Sequence, residues 1–127
     1  MIVRLKTSKE ARIILDNLNR VLRMSNNAVI LRFAISKSIM HEVPIEEDPI
    51  SEVHNNSGFE INRNTLYGEN EIIYKLAMDC IEDDERFFPY LTNRHIERGL
   101  KLLEREYKLA GNKEKFLVNI INKINNK

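Results

Sequence analysis

Residues 2–23 read IVRLKTSKEARIILDNLNRVLR, and residues 28–40 read AVILRFAISKSIM. In the first five of these, Val3 and Leu5 alternate with Arg4 and Lys6, the period of two that sends successive side chains to opposite faces of a strand. Thr7-Ser8 supplies a side-chain oxygen for a helix start, and Ala11, Ile14, Leu15, Leu18 and Leu22 follow at helical spacing. Ser25-Asn26-Asn27 breaks this helix and caps a second one over residues 28–40. There Val29, Ile30, Leu31, Phe33, Ala34, Ile35 and Ile39 cover most of the circumference. A helix apolar nearly all round is buried on several sides, so burial against another subunit is expected in a chain this short. A strand of this length also needs a partner, from another subunit or from elsewhere in the chain.

Beyond this unit, Pro44, Pro49 and the Asn55-Asn56-Ser57-Gly58 turn make residues 41–64 a long connection. A third helix is predicted over residues 70–81, with Ile72, Ile73, Leu76, Ala77 and Cys80 on its buried face, followed by a solvated turn at Asp83-Asp84-Glu85. Cys80 reads as a small core residue. A fourth helix covers residues 92–109, with Ile96, Gly99, Leu100, Leu103 and Tyr107 on one stripe. Glycine inside a helix costs about 1 kcal/mol relative to alanine, so Gly99 predicts close approach of another backbone. Gly111 and Asn112 end that helix. Residues 113–127 can form an amphipathic helix through Phe116, Leu117, Ile120, Ile121 and Ile124, with fraying expected over the last four residues. The expected fold is mainly α: a ribbon-helix-helix-like unit of one short strand and two helices, then two or three further helices. Its domain organisation is a single helical domain over residues 1–111 and an amphipathic tail over residues 112–127.

The chain has 127 residues and a net charge of +1, from 20 Lys and Arg against 19 Asp and Glu. That near-neutral total hides an asymmetry. Residues 1–40 hold eight basic and two acidic side chains, and residues 41–62 hold six acidic side chains and neither Lys nor Arg. Residues 63–90 hold three basic and seven acidic side chains, and residues 91–127 nine basic and four acidic. A basic head and a basic tail flank an acidic middle.

Most function classes find no support in the residues. One cysteine excludes an internal disulfide and a multi-cysteine metal site. His41, His54 and His95 lack metal-ligand spacing, and the four glycines are too dispersed for a phosphate-cradling loop. No nucleophile-base arrangement appears, so no catalytic residue, cofactor or metal is assigned. No apolar stretch is long enough for a membrane span or a secretory signal, and a cytoplasmic protein is expected.

The basic head carries the functional expectation. Arg4 and Lys6 would face outward from the strand, suited to phosphate or guanine contacts. Lys9, Arg12, Arg20 and Arg23 lie on the polar face of the first helix, interrupted by Asp16. Several cations on one surface favour phosphate binding, because each contact adds counterion release. A homo-oligomer would multiply the patch on one duplex. Three other readings remain open: a module whose basic face meets another protein, a ribbon-helix-helix repressor, and, as the one enzyme reading, a nickase.

Four blocks extend this reading: Arg4-Leu5-Lys6-Thr7-Ser8-Lys9, Leu31-Arg32-Phe33-Ala34-Ile35-Ser36, Gly58-Phe59-Glu60-Ile61-Asn62-Arg63-Asn64-Thr65-Leu66-Tyr67-Gly68-Glu69, and His95-Ile96-Glu97-Arg98-Gly99-Leu100. In this order they resemble DndE, the small subunit of the bacterial DNA phosphorothioation (DNA sulfur modification) system. The resemblance covers roughly residues 3–110 of the chain. It implies a homotetrameric DNA-binding protein that prefers nicked double-stranded DNA. Such a protein would work beside a cysteine desulfurase, a sulfurtransferase and an ATPase. It also implies DNA contact near the end of the first helix, where Arg20 and Arg23 stand in place of the lysines common in the family. The block from Gly58 to Glu69 has no assigned chemistry. Asn62, Arg63 and Glu69 are expected in a buried polar network or an intersubunit contact.

Overall fold

The first strand finds its partner within the chain. In the computed structural model, which describes residues 2–125, β1 (Arg4–Lys6) pairs antiparallel with β2 (Glu60–Asn62). Leu5 lies opposite Ile61, and both are buried, while Arg4 faces Asn62 and Lys6 faces Glu60 in register. The ribbon is prolonged by hydrogen bonds from Thr7 N to Phe59 O (2.8 Å) and from Gly58 N to Thr7 O (2.9 Å). Gly58 is required there, because a Cβ would lie 2.0 Å from the Ser8 carbonyl oxygen. The connection after the second helix is therefore shorter than expected. It holds two single 3-10 turns (Ile45–Glu47 and Pro49–Ser51) before β2, and α3 (Arg63–Tyr67) follows β2 directly.

Helix α1 (Lys9–Leu22) starts where the sequence places it. The Ser8 hydroxyl accepts from Ala11 N at 3.0 Å, and Ala11, Ile14, Leu15 and Leu18 are buried. Asn26 caps α2 (Asn27–Ile39). This helix buries Ala28, Ile30, Leu31, Ala34 and Ile35 against α5 (Thr92–Ala110), α1 and α3 of the same chain. A second subunit is not needed to cover most of it, a correction to the sequence reading. Among its large apolar side chains Val29 and Phe33 remain exposed, as does Met40 at its C-cap. The expected close approach at Gly99 is present: a Cβ there would lie 1.9 Å from the Ala34 carbonyl oxygen. Helix α5 buries Ile96, Leu100 and Leu103 and ends at Gly111 in the left-handed conformation (φ 81°).

The third predicted helix differs most from the reading. Helix α4 (Glu71–Ala77) stops early, at Met78 and a left-handed Asp79 (φ 57°). Its inward face is Tyr74 and Met78, with the Tyr74 ring 4.9 Å from that of buried Tyr67. Ile72, Ile73 and Leu76 are 54%, 61% and 64% exposed, so the expected core face points outward. Cys80 is buried as expected. Next comes a wide turn, Arg86–Leu91, that buries Phe87, Phe88 and Leu91. Finally α6 (Lys113–Asn125) packs through Phe116, whose ring meets Tyr107 edge-on at 5.5 Å. Fraying is expected over residues 124–127; α6 continues to Asn125, and the last two residues lie outside the described ones.

Candidate nucleic-acid interface

Helix α1 positions most of the expected contact residues. Lys9, Arg12, Arg20 and Arg23 are all exposed. At about 100° per residue, their positions fall within an arc of about 80°. From Lys9 to Arg23 the rise is about 21 Å, so the stripe runs the length of the helix. Its buffering by acids is slight. Asp16 pairs with Arg12 at 3.8 Å, with both side chains more than half exposed, and such pairs contribute at most about 1 kcal/mol. Among the described residues Arg20 reaches only the side-chain oxygen of Asn17, at 3.2 Å. Arg23 ends the helix in the left-handed conformation (φ 54°), and its backbone N–H donates to Asn19 O.

Arg4 and Lys6 flank buried Leu5 on β1, which places both on the outer face of the ribbon. The backbone of Lys6 is tied to α5 by Asn93, whose side-chain amide donates to Lys6 O at 2.9 Å. Glu60 lies across the ribbon from Lys6, so this cation is more offset than those of the α1 stripe. The N-terminus of α1 is closed to anions. Asn55 Oδ1 accepts from Lys9 N at 2.9 Å, and Ser8 accepts from Ala11 N. Asn55 also donates to Glu10, which is held below its ordinary value by its backbone hydrogen bond and then by Asn55. Any anion bound here meets side chains, not the free N–H groups of a helix end.

Arg94, Arg98 and Lys101 of α5 have a different fate, one that sequence spacing does not reveal. Arg98 is 1% exposed. It donates to Ser38 Oγ (2.8 Å), Ser38 O (2.7 Å), Val43 O (2.6 Å) and Asp48 Oδ2 (3.3 Å). Arg94 donates to Ile45 O and Ser51 Oγ, and Lys101 to Ile50 O while pairing with Glu97 at 2.9 Å. From the wide turn that precedes α5, Arg86 pairs with Glu46. These cations hold residues 43–51, the acidic connection, against α5. Glu97 in turn accepts from the Ser8 hydroxyl at 2.5 Å and so pins the start of α1.

Ser38 Oγ lies 2.8 Å from His95 Nδ1, a pairing that in an open cleft would serve nucleophilic chemistry. Here Arg98 Nε donates to the same oxygen, and Ser38 and His95 are 0% and 5% exposed. The hydroxyl is engaged on both sides and shut away from substrate. Burial first, then the charges of Arg98 and Arg94, pull His95 down to about 4, so it is a neutral acceptor.

Arg63, expected in a polar network, is the centre of one, but not with Asn62 or Glu69. It makes two bonds each to Glu71 (2.5 and 3.0 Å) and Asp84 (3.0 and 2.5 Å), over the Phe87 and Phe88 rings. Lys75 joins at Asp84 (2.7 Å). These bonds from Arg63, then Lys75, hold the Asp84 carboxyl well below its usual range, so this residue is a structural anchor and not part of a solvated turn. Asn62 instead caps α3, accepting from Asn64 N, and Glu69 is exposed. Among the described residues no His, Cys, Asp and Glu group is arranged to hold a metal. No helix among them is long and apolar enough to cross a membrane.

No curated protein matches the chain. The profile of one family, described as DNA sulphur modification protein DndE, matches residues 4–111, from the first residue of β1 to the end of α5. The matched stretch takes in the ribbon, the cation stripe and the clamp on the acidic connection, and by it the chain belongs to the DndE family.

Proposed function

We propose that this protein is a non-catalytic DNA-binding subunit of the DNA sulfur modification system, a cytoplasmic homo-oligomer that binds duplex DNA and prefers nicked duplex. A role in DNA sulfur modification follows from family membership. DNA binding rests on one observation: the α1 stripe is exposed and carries, among the described residues, a single weak ion pair, whereas Arg94, Arg98 and Lys101 of α5 are bound internally. Arg12, Arg20 and Arg23, with Lys9, are the phosphate contacts; Arg4 and Lys6 extend them. Each cation laid on a phosphate releases condensed counterions. In a homotetramer, four stripes act on one duplex at high effective concentration. The cysteine desulfurase, the sulfurtransferase and the ATPase supply the chemistry, and this subunit supplies the grip on DNA.

A gel-shift series on nicked, intact and single-stranded DNA tests this proposal. The nicked duplex binds best, and Arg12→Glu, Arg20→Glu and Arg23→Glu together abolish the shift while oligomer mass is unchanged. Survival of binding at low salt in the triple variant would remove α1 as the contact surface. The second reading, a protein-interaction module, draws on the exposed apolar ridge of α4. It predicts capture of partner subunits without any DNA retardation. The repressor reading has no observation in its favour, since β1 is paired with β2 of its own chain.

A further inference from the structure

The polar face of α1 carries one residue that the cation stripe does not explain. Ile13 is 53% exposed, and among the described residues it is the only large apolar side chain of that helix to stand in solvent. It is not a stray from the edge of the core. At about 100° per residue it lies about 160° round the helix from buried Ala11 and about 140° from buried Leu18. It lies only about 40° from Lys9 and about 20° from Arg20. Along the axis Lys9 stands about 6 Å before it and Arg20 about 10 Å after. On helix grounds a β-branched side chain is a poor choice there, since isoleucine ranks below lysine, arginine and glutamate in propensity and this one has no core to fill. Single exposed apolar residues are ordinary on protein surfaces. One set between two cations is brought against whatever those cations hold.

Cations alone do not distinguish a nicked duplex from an intact one. Phosphate contacts position a protein and carry no information about the bases, and the two duplexes offer nearly the same phosphates. What a nick changes is the stack. With one strand interrupted, the base pairs that flank the break part at lower cost than at a continuous step, and the faces they bare are largely apolar. Architectural proteins insert apolar side chains, isoleucine among them, between base steps and meet the cost of unstacking. A deformation that is easier in one duplex than in another sets a preference without any contact to base edges.

We propose that Ile13 covers the base-pair face opened at a nick, and that this contact, not the cation stripe, sets the preference of the α1 surface for nicked duplex. The proposal rests on the DNA-binding reading above and names the residue that makes its selectivity. Lys9 and Arg20 hold phosphates on either side of the break, and Ile13 stands between them.

The test measures the affinity of the full-length protein for nicked and intact duplex of one sequence, by fluorescence anisotropy. A 2-aminopurine beside the nick reports unstacking by a rise in its fluorescence. Ile13→Ala removes the apolar reach but no charge and no core contact, and alanine is the better helix former, so the fold is kept. Affinity for nicked duplex falls about tenfold more than affinity for intact duplex, the equivalent of losing most of one buried aliphatic side chain. The salt slope matches that of the unaltered protein, because no cation is lost. The rise in 2-aminopurine fluorescence disappears in Ile13→Ala and is kept in Ile13→Leu. Equal losses on the two duplexes, or a nick preference that persists in Ile13→Ala, would overturn the proposal and leave the DNA-binding reading standing. An unaltered protein that binds both duplexes alike would overturn the nick preference and the proposal together, and one that binds neither would overturn the whole reading.

Discussion

Helices α1 and α5 both carry basic side chains at helical spacing, and those of α1 and the Arg94, Arg98 and Lys101 set of α5 end in opposite situations. On α5, Arg94, Arg98 and Lys101 bind carbonyls and side chains of the connection that precedes β2. On α1, Lys9, Arg12, Arg20 and Arg23 stand in solvent. The difference shows that counting charge by segment overstates what is available to a partner. Part of the basic tail and part of the acidic middle cancel inside the molecule. What remains exposed on these two helices is the α1 stripe, with Arg105 and Lys108 at the far end of α5.

The largest break in this comparison is Arg98→Met. Methionine fills much of the volume but leaves Asp48, Ser38 O and Val43 O without their donor. Removing one partner of a buried ion pair costs about 3–5 kcal/mol, because the remaining charge is stranded. Urea unfolding would read that loss directly. A change below about 1 kcal/mol would show that the clamp on residues 43–51 contributes little to holding them.

A smaller effect, in the same network, is pH dependence. His95 is held at about 4, below its ordinary value of 6.5, so the folded chain binds fewer protons than the unfolded one between those values. Its contribution is complete above pH 6.5 and falls away as pH drops toward 4. Integrated over that window the loss is roughly 3 kcal/mol at most, at about 1.4 kcal/mol per pKa unit. In His95→Asn, an amide oxygen can still accept from Ser38, and the titration is gone. Unfolding free energy measured at pH 7 and pH 5 should therefore fall more steeply in the unaltered protein than in the variant. Equal slopes would place the acid sensitivity elsewhere than His95; Asp84, whose carboxyl is lowered, loses its contribution only below its ordinary value of 3.8, outside this window.

How far the sequence could be read follows from which forces act locally. Periodicity is local, so α1, α2 and α5, with the caps at Ser8 and Asn26 and the close approach at Gly99, were all legible. An amphipathic pattern reports that a face is apolar, not what covers it. The Ile72-Ile73-Leu76 face therefore read as core although Tyr74 and Met78 turn inward. Strand β2 has only three residues and was lost in the connection. The buried arginines were missed for a different reason. Arg98 and Asp48 are fifty residues apart, and Arg63 and Asp84 twenty-one, so neither partner is visible from the other's neighbourhood. The basic face of α1 was legible because its residues share one helix, yet its contrast with α5 needed the tertiary structure.

The smallest stability effect is expected on the other side of the comparison, and it is the sharpest test. Arg20→Gln with Arg23→Gln removes two charges that, among the described residues, hold nothing together beyond one exposed bond to Asn17. Surface changes of this kind stay within about 0.5 kcal/mol each. Affinity for duplex DNA should nevertheless fall, and the slope of log K against log salt should flatten by about 1.8 per protomer contacting DNA, at about 0.9 per phosphate. Arg98→Met should do the reverse, lowering stability while leaving the slope of the folded fraction unchanged. If the glutamine pair destabilised the fold as Arg98→Met does, the α1 stripe would be structural after all. If the slope did not move, the phosphates would lie against another surface.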